Sequence, residues 1–124
     1  MPKMNPLIKA KWVSALRSGE FKQGTMQLRT LDDKYCCLGV LCALAVREGV
    51  IDPPLPGVQG QFTDAYYFDG NKNYVPLAVR QWAGLEDSVG GYHVEGVETE
   101  QVLAVNNDAS MPFPQIADII EKHF

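Results

Sequence analysis

Tyr35-Cys36-Cys37-Leu38-Gly39-Val40-Leu41-Cys42-Ala43-Leu44-Ala45-Val46-Arg47 is the stretch that decides the fold. Leu38, Leu41, Cys42, Ala45 and Val46 recur at helical spacing, while Cys37, Val40 and Leu44 are apolar on the remaining faces. A helix that is apolar nearly all round is buried nearly all round, so residues 37–47 read as the central helix of the domain. Gly39 in its interior costs roughly 1 kcal/mol relative to alanine. A position without a Cβ there predicts that a neighbouring element approaches closely. Arg47, Glu48 and Gly49 return the chain to solvent and end the helix.

Outward from this helix the elements follow the same logic. Ile8, Trp12, Ala15 and Leu16 form one face of an amphipathic helix, with Asn5 as N-cap, Pro6 at the first helical position and Gly19 as the stop. Thr25 to Thr30 alternates weakly and predicts a strand, Leu31 to Lys34 a turn, and Tyr35-Cys36 a return pairing. Ile51-Asp52-Pro53-Pro54-Leu55-Pro56-Gly57 excludes helix and central strand, because three prolines remove donors and fix φ. Phe62, Tyr66, Tyr67, Phe68 and Tyr74 surround the turn sequence Asp69 to Asn73 and predict a β-hairpin with a long tip. Pro76 opens a helix from Leu77 to Trp82 with the stripe Leu77, Val79 and Trp82, stopping at Gly84, and Leu85 packs beyond its end. Tyr92 to Glu95 predicts a short strand. Thr99-Glu100-Gln101 predicts an N-cap and a short helix through Ala104, broken by Asn106-Asn107-Asp108. Phe113, Ile116, Ala117, Ile120 and Phe124 mark a final helix to about Lys122. No internal repeat is present. The expectation is one α+β domain, with a buried central helix packed by N- and C-terminal helices and a small antiparallel sheet.

Composition sets the outer limits. The 124 residues are 46% hydrophobic and 21% charged, with a net charge of −4. That is ordinary for a globular protein and excludes disorder, collagen-like repeats and low-complexity character. No apolar run approaches the ~20 residues of a membrane span, and the polar, proline-punctuated start does not read as a secretory signal. The three cysteines, Cys36, Cys37 and Cys42, are odd in number and clustered, which argues against a disulfide framework and for reduced thiols. Charge is uneven: residues 1–34 carry seven basic against three acidic side chains, +4, and the remainder four against twelve, −8. A basic start on an acidic body can steer a protein toward an anionic partner, although a solvated helix face is the first reading of such unevenness. Without a dense basic stripe or a DNA-binding motif, duplex DNA is not an expected partner.

Three blocks carry a resemblance: Lys11-Trp12-Val13-Ser14-Ala15-Leu16-Arg17-Ser18-Gly19 through Gln23-Gly24, then Tyr35 to Cys42, then Asn107-Asp108 with Phe113-Pro114-Gln115-Ile116-Ala117-Asp118-Ile119-Ile120-Glu121. Together with Trp82-Ala83-Gly84-Leu85, they resemble a family of small proteins of tailed bacteriophages and prophages. The resemblance covers most of the chain apart from residues 51–75 and 86–100. It implies a phage genome and a site of action in the host cytoplasm. It brings no activity and no catalytic residues with it.

Candidate chemistry is sparse. Cys36 or Cys37 at a helix N-terminus could be a thiol nucleophile, with His93 as base and Asn106 or Asn107 as orienter. The competing reading makes all three thiols small core hydrophobes. The Cys-to-Cys42 spacing is not that of a zinc knuckle, and with only His93 and His123 to complete a shell, no metal and no cofactor is expected. Asn107-Asp108 reads first as a cap that accepts backbone N–H bonds. The aromatic segment is where binding is sought, Tyr and Phe supplying contact area at small entropic cost; the competing reading packs alternate rings onto the central helix, with nothing bound there. Arg17, Lys22 and Arg29, with Tyr66 or Tyr67 to stack, would suit a nucleotide-like anion, and the aromatic residues alone a protein. No phosphate loop, serine elbow or paired-carboxylate string is present. The expectation is a non-enzymatic phage binding protein that engages a host protein or sequesters a small anionic signal. A Cys-dependent hydrolase or transferase using Cys36/Cys37 with His93 is the alternative, a virion assembly factor a third reading, and a homo-oligomer stays open.

Overall fold

Asn5 starts the first helix through its side chain. The computed structural model describes residues 4–56 and 65–124. In it, helix α1 spans Pro6–Ser18: Asn5 accepts the N–H groups of Leu7 and Ile8, and Gly19 ends the helix at φ 78°. Its buried face is Ile8, Trp12, Val13, Ala15 and Leu16. The chain then pairs β1 (Lys22–Gln23) in parallel with β2 (Lys34–Tyr35), Lys22 opposite Lys34 and Gln23 opposite Tyr35.

The expected strand Thr25–Thr30 is replaced by bends, with Arg29 alone bridging Tyr35. The cause lies outside the segment. Met26 takes φ 74°, and the Asp108 carboxylate accepts its N–H at 2.7 Å, so the backbone leaves the extended region where a ladder would start.

Helix α2 spans Cys37–Arg47, with Cys37 to Cys42, Leu44 and Ala45 all buried. The glycine expectation holds in detail. A Cβ on Gly39 would lie 1.8 Å from the Leu28 carbonyl oxygen and 2.6 Å from its carbon. That same carbonyl accepts the Cys36 N–H at 3.2 Å, so the backbone at residue 28 crosses directly over the first turn of α2.

The aromatic segment folds differently from a self-contained hairpin. Strand β4 (Tyr66–Tyr67) pairs antiparallel not with the residues after it but with β3 (Leu55–Pro56), in the proline-rich stretch. Asp69-Gly70 turns the chain tightly, Phe68 bridging Asn71. The predicted hairpin also included Phe62, which lies outside the described residues. Helix α3 (Leu77–Ala83) ends at Gly84, φ 80°. Val79 and Ala83 carry its buried face; Leu77, expected on the stripe, is 61% exposed.

Strands β5 (Gly91–Tyr92) and β6 (Gln101–Val102) form a second antiparallel ladder. Helix α4 (Leu103–Asp108) follows β6 directly. The predicted cap at Thr99 and break at Asn106 are therefore both displaced: Asn106, Asn107 and Asp108 are inside the helix, because Asn107 has a buried tertiary partner set that outweighs its local turn preference. Helix α5 (Phe113–His123) buries Phe113, Ile116, Ala117 and Ile120.

α1 packs on α5 and α2, and α2 in turn on α3 and α4. Trp12 sits at the centre, fully buried, its Nε1–H donated to the Cys37 carbonyl at 2.9 Å. The architecture is α+β around a buried central helix, with the strands among the described residues in three separate two-residue ladders, two antiparallel and one parallel.

Candidate binding surface at the start of the central helix

Four segments meet where α2 begins, and a fully buried asparagine joins them. Asn107 Oδ1 accepts the Cys37 N–H at 3.1 Å and a Gln23 Nε2–H at 3.0 Å, while its Nδ2 donates to the Gly24 carbonyl at 2.8 Å. Gln23 extends the link, donating to the Met111 carbonyl at 2.7 Å and accepting the Phe113 N–H at 3.1 Å. A buried amide whose oxygen and nitrogen both find partners costs little; the same group with either left unpaired costs ~1–3 kcal/mol. Asn107 and Asp108 therefore do serve backbone N–H groups, across the tertiary structure rather than within their own turn.

The same bonds account for the N-terminus of α2. Cys36 is the cap, its Sγ accepting the Gly39 N–H at 3.4 Å, and Asn107 takes Cys37. Burial pushes the Cys36 thiol up to about 11, against the opposing pull of the Gly39 and Leu38 N–H groups, and Asp108 pushes it further up. Cys37 and Cys42 are raised well above the usual thiol range by the same burial. All three are free and buried. The helix-terminal position that could have made a thiolate is outweighed by desolvation.

Beside this knot a groove of about 390 Å³ opens to solvent. Cys36, Leu38, Val89 and Ala104 line it within, and Met26 and Tyr74 stand at its edge with 71% and 55% of their surface exposed. Val105, 64% exposed, neighbours Ala104 on α4. Asp108 and Lys72 flank the groove. Lys72 also stands 6.0 Å over the Tyr67 ring, which connects the groove to β4.

Of the residues expected to bind, the structure unites two. Arg29 lies 3.9 Å over the Tyr66 ring and 5.4 Å from that of Tyr35, while its Nη2 holds Asp33 Oδ1 at 2.6 Å. The row continues inward: Tyr35 meets Phe21 edge-on at 5.0 Å, and Arg47 covers Phe21 at 5.2 Å. Tyr66 and Tyr67 are half-buried, and Arg29 is already occupied on both its face and its edge. Arg17 is elsewhere, binding Asp118 at 2.5 Å and Glu121 at 2.6 Å across α1 and α5. Lys22 is exposed on β1 opposite Lys34. His93 is exposed, 3.6 Å from Glu100, in a cleft of about 310 Å³ with His123 and Tyr92. That cleft and the Cys36 groove have no lining residue in common, and Asn106 accepts the Tyr92 hydroxyl at 2.6 Å. No hydrogen bond among the described residues joins His93 to either thiol. No group of three metal-ligating side chains converges among the described residues, and none of their helices is long and apolar enough to cross a membrane.

Residues 4–124 match the family described as a domain of unknown function, DUF8296. The chain belongs to that family. Neither a curated protein nor a solved structure matches it. The family match spans the knot, the groove and the arginine–tyrosine row alike.

Sequence reading missed Met26 and Val105 as surface residues, and Gln23 as part of the knot; Tyr74 and Lys72 fall in the aromatic segment and its turn, where binding is sought. Met26 and Val105 carry no local signal, since an apolar side chain is read as buried until its neighbours are placed. Gln23 could have been found only through the three polar atoms that its side chain serves.

Proposed function

We propose that this member of the DUF8296 family is a non-enzymatic binding protein of phage origin that modulates a host process by engaging a host protein in the cytoplasm. The observation that carries the reading is the exposed apolar rim, Met26 and Tyr74, at the edge of the groove at the start of α2. Exposed methionine and aromatic side chains beside a concavity are what a partner's anchor residues use. Two facts weigh against the other readings. Arg17 and Arg29 are separated and each is already paired to carboxylates, so the basic residues do not converge on a small anion. Cys36, at about 11, is protonated at neutral pH and is a poor nucleophile.

Native mass spectrometry of the tagged protein purified gently from host cytoplasm tests this directly. A co-purifying host polypeptide is expected, lost from a Met26→Asp/Tyr74→Asp variant that melts like the parent. An added mass of a few hundred daltons instead would shift the reading to small-molecule sequestration. Retention of the partner by the variant would show that this groove is not the contact.

A further inference from the structure

Among the described residues, four other than glycine take a positive φ: Met26, Asp33, Asp69 and Ser110. Aspartate and serine side chains can bond the nearby backbone and so tolerate that region; a methionine side chain cannot. Met26, at φ 74°, is also 71% exposed, so no burial of its side chain fixes the strained backbone. Strain of this kind persists only where the surroundings impose it. Here they do so through Asp108 at the end of α4, whose Oδ1 accepts the Met26 N–H at 2.7 Å.

The neighbours of Met26 are anchored on either side. Gly24 donates its N–H to the Tyr35 carbonyl at 2.8 Å, and its own carbonyl accepts from Asn107 at 2.8 Å. Leu28 donates to the Lys72 carbonyl at 2.7 Å and accepts the Cys36 N–H at 3.2 Å. Between these anchors the Gln27 N–H turns back onto the Thr25 carbonyl. Among the described residues, the Asp108 bond is therefore the one hydrogen bond that ties residues 25–27 to the rest of the chain. The segment passes beside Cys36, and Met26, Gln27, Cys36, Leu38 and Asp108 line one groove. We propose that residues 25–27 are a strap at the mouth of this groove, latched by Asp108, and that release of the latch lets Met26 leave its strained conformation and uncovers Cys36. The use of the strap rests on the reading of the groove as a partner's contact: with Met26 on a movable mount, the groove has an open state that a partner can select. The latch itself needs no partner.

Thiol labelling of the native full chain at pH 8, read site by site by mass spectrometry, tests the latch. Asp108→Ala removes the acceptor. Asp108→Asn removes the same charge, which also acts on the Cys36 thiol, but keeps an oxygen for the Met26 N–H. Cys36 is expected to label on the order of ten-fold faster in Asp108→Ala than in Asp108→Asn, the worth of one such hydrogen bond, while Cys42 stays unreactive in both. Met26→Asn places at residue 26 a side chain that tolerates positive φ, and added to Asp108→Ala it is expected to slow the labelling of Cys36 again. Equal labelling of Cys36 in the two Asp108 variants overturns the proposal. So does labelling of Cys42 that rises in step with Cys36, which would report unfolding of the whole chain, or an acceleration that Met26→Asn leaves untouched. With no partner in the assay, these outcomes bear on the strap alone; the co-purified host polypeptide bears on the use of the groove.

Discussion

Replacing Gly39 by alanine should destabilise this protein, although alanine is the better helix former. Propensity alone predicts a gain of roughly 1 kcal/mol. The added methyl would be placed 1.8 Å from the Leu28 oxygen, where ordinary contact begins at 3.4 Å, so some 1.6 Å must be found. The obstacle is backbone, not the end of a flexible side chain. The Leu28 carbonyl accepts the Cys36 N–H at 3.2 Å, and the Leu28 N–H is donated to the Lys72 carbonyl at 2.7 Å, so the segment is pinned on both sides. Overpacking costs about 1–3 kcal/mol and a broken buried hydrogen bond about 1–3 more; with the propensity gain of about 1 kcal/mol set against them, the net loss is about 1–5 kcal/mol. Urea denaturation followed by far-ultraviolet circular dichroism should show a lower midpoint with an unchanged slope. Hydrogen exchange at the Cys36 amide should accelerate. A Gly39→Ala protein as stable as the parent, or more so, would refute the close approach of residue 28 to α2.

Asn107→Ala should cost about 3 kcal/mol in the same assay, because it leaves the Cys37 N–H, the Gly24 carbonyl and the Gln23 amide without their partner in a buried site; a loss below about 1 kcal/mol would mean that water replaces the side chain. The three thiols should stay silent to a thiol reagent at pH 8 until the protein unfolds, since at about 11 only about one Cys36 in a thousand is ionised there; rapid labelling of Cys36 in the native protein would revive the nucleophile. The Arg17 hydrogen bond, foremost, holds the Glu121 carboxyl below its ordinary 4.5. A depressed folded pKa contributes stability that is present above the unfolded value and is lost as pH falls through the folded one. NMR titration should therefore find Glu121 below the normal range in the parent and back within it in Arg17→Ala, and an unshifted Glu121 in the parent would show that the ion pair is not maintained in solution.

What could be read from the chain in order was whatever depends on neighbours a few residues apart. The cap at Asn5, the proline after it, the stop at Gly19, the all-apolar run 37–47 and the stripe from Phe113 each encode a helix through contacts at i+3 and i+4, and each stands where its pattern puts it. Gly39 went further: a glycine that weakens its own helix implied a tertiary neighbour, although not which one. The strands were less legible. A two-residue ladder has too few residues for period-two alternation to show, and its register is set by what brings the segments together. Thus Tyr66-Tyr67 pairs with a proline-rich stretch some ten residues earlier, and Lys34-Tyr35 forms its ladder with Lys22-Gln23, the expected return pairing onto Thr25–Thr30 surviving only as the Arg29–Tyr35 bridge.

The candidate site lay further still beyond the sequence. Tyr66 and Arg29 are both binding candidates on the sequence, and they do meet, but in a stack that satisfies Arg29 within the protein. The order Cys–His–Asn suggested chemistry that desolvation of the thiols opposes, and solvation is a property of the packed structure alone. The sequence by itself determined the helices, the buried centre and the need for a close contact at Gly39, because these follow from local geometry and apolar periodicity. Tertiary structure alone decided that Asn107 would tie four segments together, that Met26 and Tyr74 would face solvent across a groove, and that the thiols would be held protonated. Each of those depends on which distant groups share a low-dielectric space, and that is decided only when the chain closes on itself.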